Sequence, residues 1–498
     1  MDQRRGRLLL LPLRLTPCSY AEMNSSLPTI ATDQSIPAEW KPELELAGKY
    51  ACQGPRYTSY PTAPQFTEEF PLQDYLDWQS GPAANSTEPL SLYVHVPFCN
   101  DICYYCACNK VVTRKREAAD TYLLQLQREI ELQASLVGSR RPITQMHWGG
   151  GTPTFLDDAQ ITELMHSLAS HFHLLDRGYR EYSIEIDPRT VAASTIALLK
   201  GIGFNRISLG IQDFDLQVQR AINRVQSYED VAALVSRIRD HGFRSLSFDL
   251  IYGLPHQHRE SMAATLAQVV SLRPDRIACY NYAHLPDRFP SQRAIDRLTL
   301  PSPEEKIVLH QQIAATLKDA GYIHIGMDHY VLPTDELAIA QEEGRLQRNF
   351  QGYSLQLADD LLGLGVSAIS HVGDYYLQNA RDLGHYYQAL DAGGLPLARG
   401  CRSNQDDRLR RHIIMTLITT LELDLKDCEQ QFGIDFRSAF ASQLRQLAPM
   451  AADGLVALER DRILVTARGR PFLRNICMPF DAYLAGNNSS GTRFSATV

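Results

Sequence analysis

The segment HVPFCNDICYYCACNK gathers Cys99, Cys103, Cys106 and Cys108 within ten residues. The other six cysteines, Cys18, Cys52, Cys279, Cys401, Cys428 and Cys477, stand singly. Ten cysteines in 498 residues are too sparse for a disulfide scaffold, so the cluster reads as a metal-ligand spacing in a reducing compartment. Two chemistries compete for it. Structural zinc usually draws ligand pairs from two separated loops, because four donors inside one short loop are hard to wrap tetrahedrally around one ion. An iron–sulfur cube is larger and accepts ligands from one loop at different corners, so the CxxxCxxC spacing of Cys99, Cys103 and Cys106 favours a 4Fe-4S cluster. Three thiolates leave one iron free to chelate the amino and carboxylate groups of an amino acid.

The elements that must position this loop follow from the hydrophobic period. Short β-branched or aromatic runs at 90–98, 145–150, 182–187, 206–212, 245–253 and 276–286 alternate with segments of helical period, among them 116–136, 157–172, 227–241 and 258–272. Six strands with five helical connections predict a parallel sheet, open or curled into a barrel, and both forms collect ligands at the strand C-termini. That rim carries Tyr93 and the cysteine loop, Gly149 to Thr152, Glu185 and Asp187, Gln212, Asp249, and Tyr282 to His284. A carboxylate inside an apolar parallel strand needs a partner or a ligand. One could be an internal salt bridge; several at the same end of successive strands favour a ligand site.

Beyond residue 290 the alternation weakens. A helix is expected at about 302–320, then a strand-like HIGMDHYVL, a polar loop around Arg348 to Tyr353, and the glycine-rich LLGLGVSAIS at 361–370, which reads as a lid. From about residue 400, helices near 406–422 and 438–452, a hairpin of LVALE and RILVT joined at Arg460-Asp461, and a last helix near 469–484 resemble a small winged-helix fold. The expected division is a flexible extension over 1–50, whose first 22 residues are taken as non-structural, a catalytic barrel with lid segments over 51–395, and a C-terminal, mostly helical domain with a β-hairpin over 396–498.

A chain that is 44% hydrophobic and 21% charged is not disordered throughout. With 49 basic against 57 acidic residues the formal charge is −8, so no global basic field attracts nucleic acid or anionic lipid. The C-terminal domain, nearly balanced in charge, is better suited to packing than to binding DNA. No run reaches the ~18 apolar residues of a membrane span, and Pro12 and Arg14 interrupt the Leu8 to Leu11 stretch short of a signal peptide. A cytoplasmic protein with no membrane span and no nucleic-acid partner is expected.

The CxxxCxxC loop directly after a first barrel strand resembles the radical S-adenosylmethionine (SAM) superfamily, whose barrels are typically partial, here (β/α)6. The likeness extends past that motif. GPRYTSYPTAPQF, HWGGGTPTFL, SIEIDPR, GFNRISLGIQDF, INRVQ, DLIYGLP, NYAHLP, GMDHY, RNFQGY, GLGVSAIS and RNICMPFDAYL, in this order through residues 50–485, are similar to the oxygen-independent coproporphyrinogen III oxidase (dehydrogenase) family. A shared superfamily motif alone would end near Cys106.

The resemblance implies that Cys99, Cys103 and Cys106 hold the cluster, with Cys108 nearby but not a ligand. It implies Tyr105 against adenine, and Gly150, Gly151 and Thr152 presenting backbone to the methionine part of SAM, glycine being expected there because a Cβ would hold the ligand away. Glu185, Gln212, Arg224 and Asp249 would bind the ribose hydroxyls and the charged ends, and Ala283 would pack near the adenosyl group. Tyr93 would stand close to the reaction centre, with Phe350, Gln351 and Ile369 lining a second pocket for substrate or a second SAM. The implied reaction turns two propionates of coproporphyrinogen III into vinyls through a 5′-deoxyadenosyl radical, giving protoporphyrinogen IX and consuming two SAM. Implied partners are that substrate and an electron-donor protein; the enzyme is expected to be a monomer. Four propionates call for cations at the mouth, with Arg56, Arg348 and Arg474 as candidates. The rival reading is a haem-binding chaperone with the same barrel and no decarboxylase activity; the YTSYP segment and Cys108 favour the enzyme.

Overall fold

The computed structural model describes residues 41–138, 140–176, 179–355, 357–486 and 494–497. Residues 1–40, including Cys18 and most of the expected flexible extension, lie outside them. Residues 41–50 are not irregular: Lys41–Tyr50 is a helix whose Leu46, Ala47 and Tyr50 are buried.

The frame is a 13-stranded sheet. Its centre is six parallel strands, β1 (Leu90–Val96), β2 (Pro142–Gly150), β3 (Glu181–Ile186), β4 (Arg206–Gln212), β5 (Ser245–Tyr252) and β6 (Arg276–Asn281), each hydrogen-bonded to the next. These are the six runs expected from periodicity, the last ending at Asn281 rather than 286. The crossover helices form where sequence supplies both face and caps. Glu117–Val137 begins on acidic residues, buries Tyr122, Leu126 and Ile130, and stops at Gly138 in a positive-φ conformation. Asp158–His171 opens with a capping box between Asp157 and Gln160.

Three later segments depart from expectation. The polar stretch around Arg348 to Tyr353 is an antiparallel hairpin, Leu346–Asn349 with Gly352–Leu355, and Phe350-Gln351 form its tip. The glycine-rich stretch is not a lid. It contains β7 (Asp360–Leu364), which pairs in parallel with β1, and β8 (Ile369–Val372), which turns back antiparallel to it. β9 (Tyr375–Asn379) and β10 (Leu397–Arg402) extend the same sheet, so the barrel sheet runs past residue 395 to Arg402. The last expected helix is broken into short turns over 470–486, with Pro471 and Pro479 at its interruptions.

Two cores result. One fills the barrel and the space under its helices. The other unites Gln405–Thr419 and the following C-terminal helices with Tyr57, Tyr60, Ile325 and Leu355, so residues before the barrel pack on those after it. The C-terminal hairpin Val456–Leu458 with Arg462–Val465 carries a third strand, Glu422–Asp424, as a winged-helix wing does. Among the described residues no helix is long and apolar enough to cross a membrane.

Candidate active site

β1 ends at Val96, and the chain then makes a closed loop: Phe98–Cys99 pairs with Val111–Val112. Inside the loop the backbone is tied from outside. Asn223 Nδ2 donates to the Ile102 carbonyl at 2.7 Å, the Tyr104 N–H to Ile222 at 3.0 Å, Gln292 Nε2 to Tyr105 at 3.0 Å, and Ser291 Oγ and Lys110 Nζ to Cys106 at 3.2 and 3.0 Å. Polar backbone satisfied in this way needs no help from the cysteines, whose thiols stay available as ligands.

Those thiols face a cavity of about 480 Å³. Its wall includes Cys99, Cys103, Cys106, Cys108, Tyr105, Gly150 to Thr152, Glu185, Gln212, Arg224 and Asp249. Among the described residues no three His, Cys, Asp or Glu side chains converge closely enough for a single metal ion. One chamber receives all four thiols, and a cube takes its ligands at separate corners. Cys103 lies 3.6 Å from Arg224 Nη1 and 3.7 Å from Arg189 Nη2. Both guanidiniums also bond Asp187; burial works against its ionisation, but Arg224 and Arg189 hold the Asp187 carboxyl below its ordinary value. Asp187 stands on the rim where the strand ends placed it; Arg189, two residues further in SIEIDPR, was missing from the expected site.

Glu185 and Asp249, the carboxylates inside strands, have different surroundings. Glu185 accepts from the Gly150 N–H at 3.2 Å and meets His147 Nε2 at 3.1 Å, while His147 Nδ1 reaches Ser183 at 2.6 Å. Burial raises its pKa, yet these bonds win and hold it below the ordinary range. Asp249 accepts from Ser208 Oγ at 3.2 Å; burial first, then the charge of Glu185, push its carboxyl up to about 7. Gln212 ends β4 in the left-handed region at φ 66°, beside a register shift after Gly210. Arg224 follows the short helix Leu216–Ala221 and grips the Gly210 carbonyl at 2.7 Å.

The fold itself gives the glycines a reason besides the one expected. A Cβ on Gly150, at φ 113°, would stand 2.6 Å from the His95 ring, and one on Gly151 would stand 2.5 Å from the Pro97 carbonyl. The close neighbour is the protein's own β1 and cysteine loop. The Gly151 and Thr152 N–H groups also bond back to Val96 and Phe98, both at 2.8 Å.

Tyr93 lies under this chamber rather than on its wall. Its ring stacks on His147 at 5.9 Å, and its hydroxyl meets His95 Nδ1 at 2.9 Å. His95 Nε2 faces the Asn109 carbonyl at 3.0 Å, which can only accept. The proton therefore sits on Nε2, and Tyr93 donates to Nδ1; burial keeps the ring neutral. His95 was absent from the expected site, though it shares the inward face of β1 with Tyr93 by simple alternation.

The remaining expected residues fall elsewhere. Ala283 stands past β6, beside the Tyr282–His284 pair and off the main wall. Gln351 lines a second cavity of about 140 Å³ inside the barrel, which shares Glu185, Ser208, Asp249 and Tyr280 with the first. Phe350 instead packs edge-on to Tyr376 at 6.4 Å, and Ile369 begins β8. Of the candidate cations, Arg474 is buried and bonded to the carbonyls of Gly54, Pro55, Ser495 and Ala496. It is a structural clasp and not free for a propionate. Arg348 is buried over the Tyr353 ring, and Arg56 lies over Tyr280.

The comparisons with known proteins agree in scope. Residues 93–269 match the model of the radical SAM superfamily, and residues 404–472 that of the HemN C-terminal domain. The oxygen-independent coproporphyrinogen III oxidase of Pseudomonas aeruginosa is 50% identical over 456 residues, covering 92% of this chain and 98% of that one. The enzyme of the same name from Escherichia coli K12 is 49% identical over 442 residues, 89% and 95% of the two chains. A solved structure described as coproporphyrinogen III oxidase from Escherichia coli, a radical SAM enzyme, superposes with a TM-score of 0.83 over 86% of this chain and 97% of its own, at 49% identity.

Proposed function

Because the chain belongs to the oxygen-independent coproporphyrinogen III oxidases of the radical SAM superfamily, we propose that it converts two propionates of coproporphyrinogen III to vinyls, giving protoporphyrinogen IX and consuming two SAM. The observation that carries this reading is one chamber with three cysteine thiols on its rim and Glu185, Gln212, Arg224 and Asp249 on its wall. Cys99, Cys103 and Cys106 hold the cluster, and Cys108 is not a ligand. When bound, the cluster and SAM supply a 5′-deoxyadenosyl radical, the reagent for a carbon-bound hydrogen that no base near neutral pH removes.

The protein binds, orients and excludes water. Arg189 and Arg224 each hold both the Cys103 sulfur and Asp187 with their guanidinium N–H groups. Glu185, kept ionised by His147 and the Gly150 N–H, offers acceptors to a ligand's hydroxyl or ammonium groups. Gln212 and Asp249 would offer further partners for ribose from neighbouring strands, Gly150 to Thr152 would face the methionine portion, Tyr105 would pack on adenine, and Ala283, beyond the chamber wall, would approach the adenosyl group only from its edge. Tyr93 orients the reacting side chain from below, its own proton engaged by His95. Gln351 lines the neighbouring cavity and would face a second ligand there. The enzyme acts as a cytoplasmic monomer and receives electrons from a donor protein.

The test is anaerobic turnover. Reconstituted protein given dithionite, SAM and coproporphyrinogen III should yield protoporphyrinogen IX, with 5′-deoxyadenosine and methionine. Tight haem binding without vinyl product would replace the enzyme by a chaperone.

A further inference from the structure

Tyr93 pairs across β1 and β7 with Gly363, and Leu361 of β7 pairs with His371 of β8. Directly paired residues share a face, so the inward face of the barrel continues onto β8, β9 and β10. At its upper end Ile369 pairs with Gln378, and Gln378 with Arg399. Arg399 Nε donates to Gln378 Oε1 at 2.6 Å, and its guanidinium lies 5.8 Å from the Phe66 ring. Phe66 stacks on Tyr376 at 5.7 Å, and Phe350 meets Tyr376 from its edge. With strands ~4.8 Å apart, Arg399 stands roughly 10 Å from Ile369 along this row.

Two further arginines share the rim. Arg381 follows β9, and its carbonyl accepts from Asn109 Nδ2 at 3.0 Å, placing it against the end of the cysteine loop. Arg288 precedes Ser291 and Gln292, which tie down the opposite side of that loop. After burial, the charges of Arg381 and Arg288 are what most disfavour the cation at Arg399, with exposed Glu68 as the opposing acid. Among the described residues none of the three forms an ion pair with a carboxylate. Like charges gathered with only one exposed acid to oppose them are costly unless an anion is to be received.

We propose that Arg288, Arg381 and Arg399 form the seat for the two propionates that are not decarboxylated, fixing the macrocycle so that a reacting propionate reaches the chamber above Tyr93. The proposal rests on the coproporphyrinogen reading. Arg399 is the central member, because it is half-buried and its planar fork is held by Gln378 for a bidentate carboxylate. An acidic protein partner would engage the exposed Arg288 and Arg381 more than Arg399.

The experiment compares Arg399→Gln, Arg399→Lys and the double variant Arg288→Gln/Arg381→Gln with the wild type. Fluorescence titration with coproporphyrin III, the stable oxidised analogue, reads affinity without turnover. Arg399→Gln should weaken it about tenfold, the effect of one lost charge-assisted pair, with partial recovery in Arg399→Lys. KM for coproporphyrinogen III should rise in parallel, with iron content and KM for SAM unchanged. Unchanged porphyrin affinity and KM in an active enzyme overturns the seat alone. A raised KM for the electron-donor protein instead makes the arginines a protein dock and also overturns it. A wild type that makes no vinyl product removes the coproporphyrinogen reading itself, which is a separate result.

Discussion

Asp249 lies deep in the barrel with one hydroxyl donor, and its carboxyl is pushed up to about 7 from the ordinary 3.8. The folded protein thus keeps this proton through a range in which the unfolded chain has lost it. The associated stability is fully present below pH ~4 and is lost as pH rises to about 7. Asp249→Asn should therefore be more stable than wild type at pH 8, by about 2 kcal/mol once screening by water in the chamber is allowed for. That gain should disappear toward pH 4. Urea denaturation at pH 5 and pH 8 measures it; an equal difference at both pH values would remove the assignment. Turnover should fall by at least about tenfold, since the same carboxylate faces the ligand. The cysteines divide differently: Cys99→Ala, Cys103→Ala or Cys106→Ala should abolish iron and sulfide incorporation, whereas Cys108→Ala should retain both and lose some activity. Iron analysis and the anaerobic visible spectrum decide this, and a cluster-free Cys108 variant would make that residue a ligand.

For the elements, Gly151→Ala is the informative change. Its new methyl would press on the Pro97 carbonyl, so the cysteine loop must shift while the barrel core remains. Reconstituted iron should drop severalfold with little loss of far-ultraviolet ellipticity; normal iron content would mean that the loop yields freely. The central strands were legible because each is a short apolar run between helical periods, and the strand-end carboxylates followed from the register. The hairpin tip at Phe350-Gln351 was not, since RNFQGY is as polar as any loop and its pairing depends on long-range partners. LLGLGVSAIS looked mobile because glycine weakens strand propensity, yet β7 is fixed by pairing to β1. Arg474 was misjudged because sequence does not tell a solvated arginine from one spent on four carbonyls. His95 was overlooked because the motif drew attention to the cysteines beyond it.

The whole molecule is joined through Arg474 as well as through its core. Its guanidinium reaches residues 54–55 and 495–496 together, while Tyr57 and Tyr60 enter the C-terminal core. Arg474→Met would leave the Gly54, Pro55 and Ala496 carbonyls without this donor, the Ser495 carbonyl keeping the Gly54 N–H, at a cost of about 3 kcal/mol. Limited proteolysis should then cut near residues 52–62 first, with the barrel fragment still resistant. Protection equal to wild type would show that the tyrosines alone suffice.

The pairing of Cys52 with Thr497 joins positions 445 apart in the chain. On the ribosome, therefore, the stretch around Cys52 emerges long before its complement is made. The tyrosines beside it must wait through nearly all of translation without their final packing. A fusion placed after residue 497 would crowd this late-closing seam.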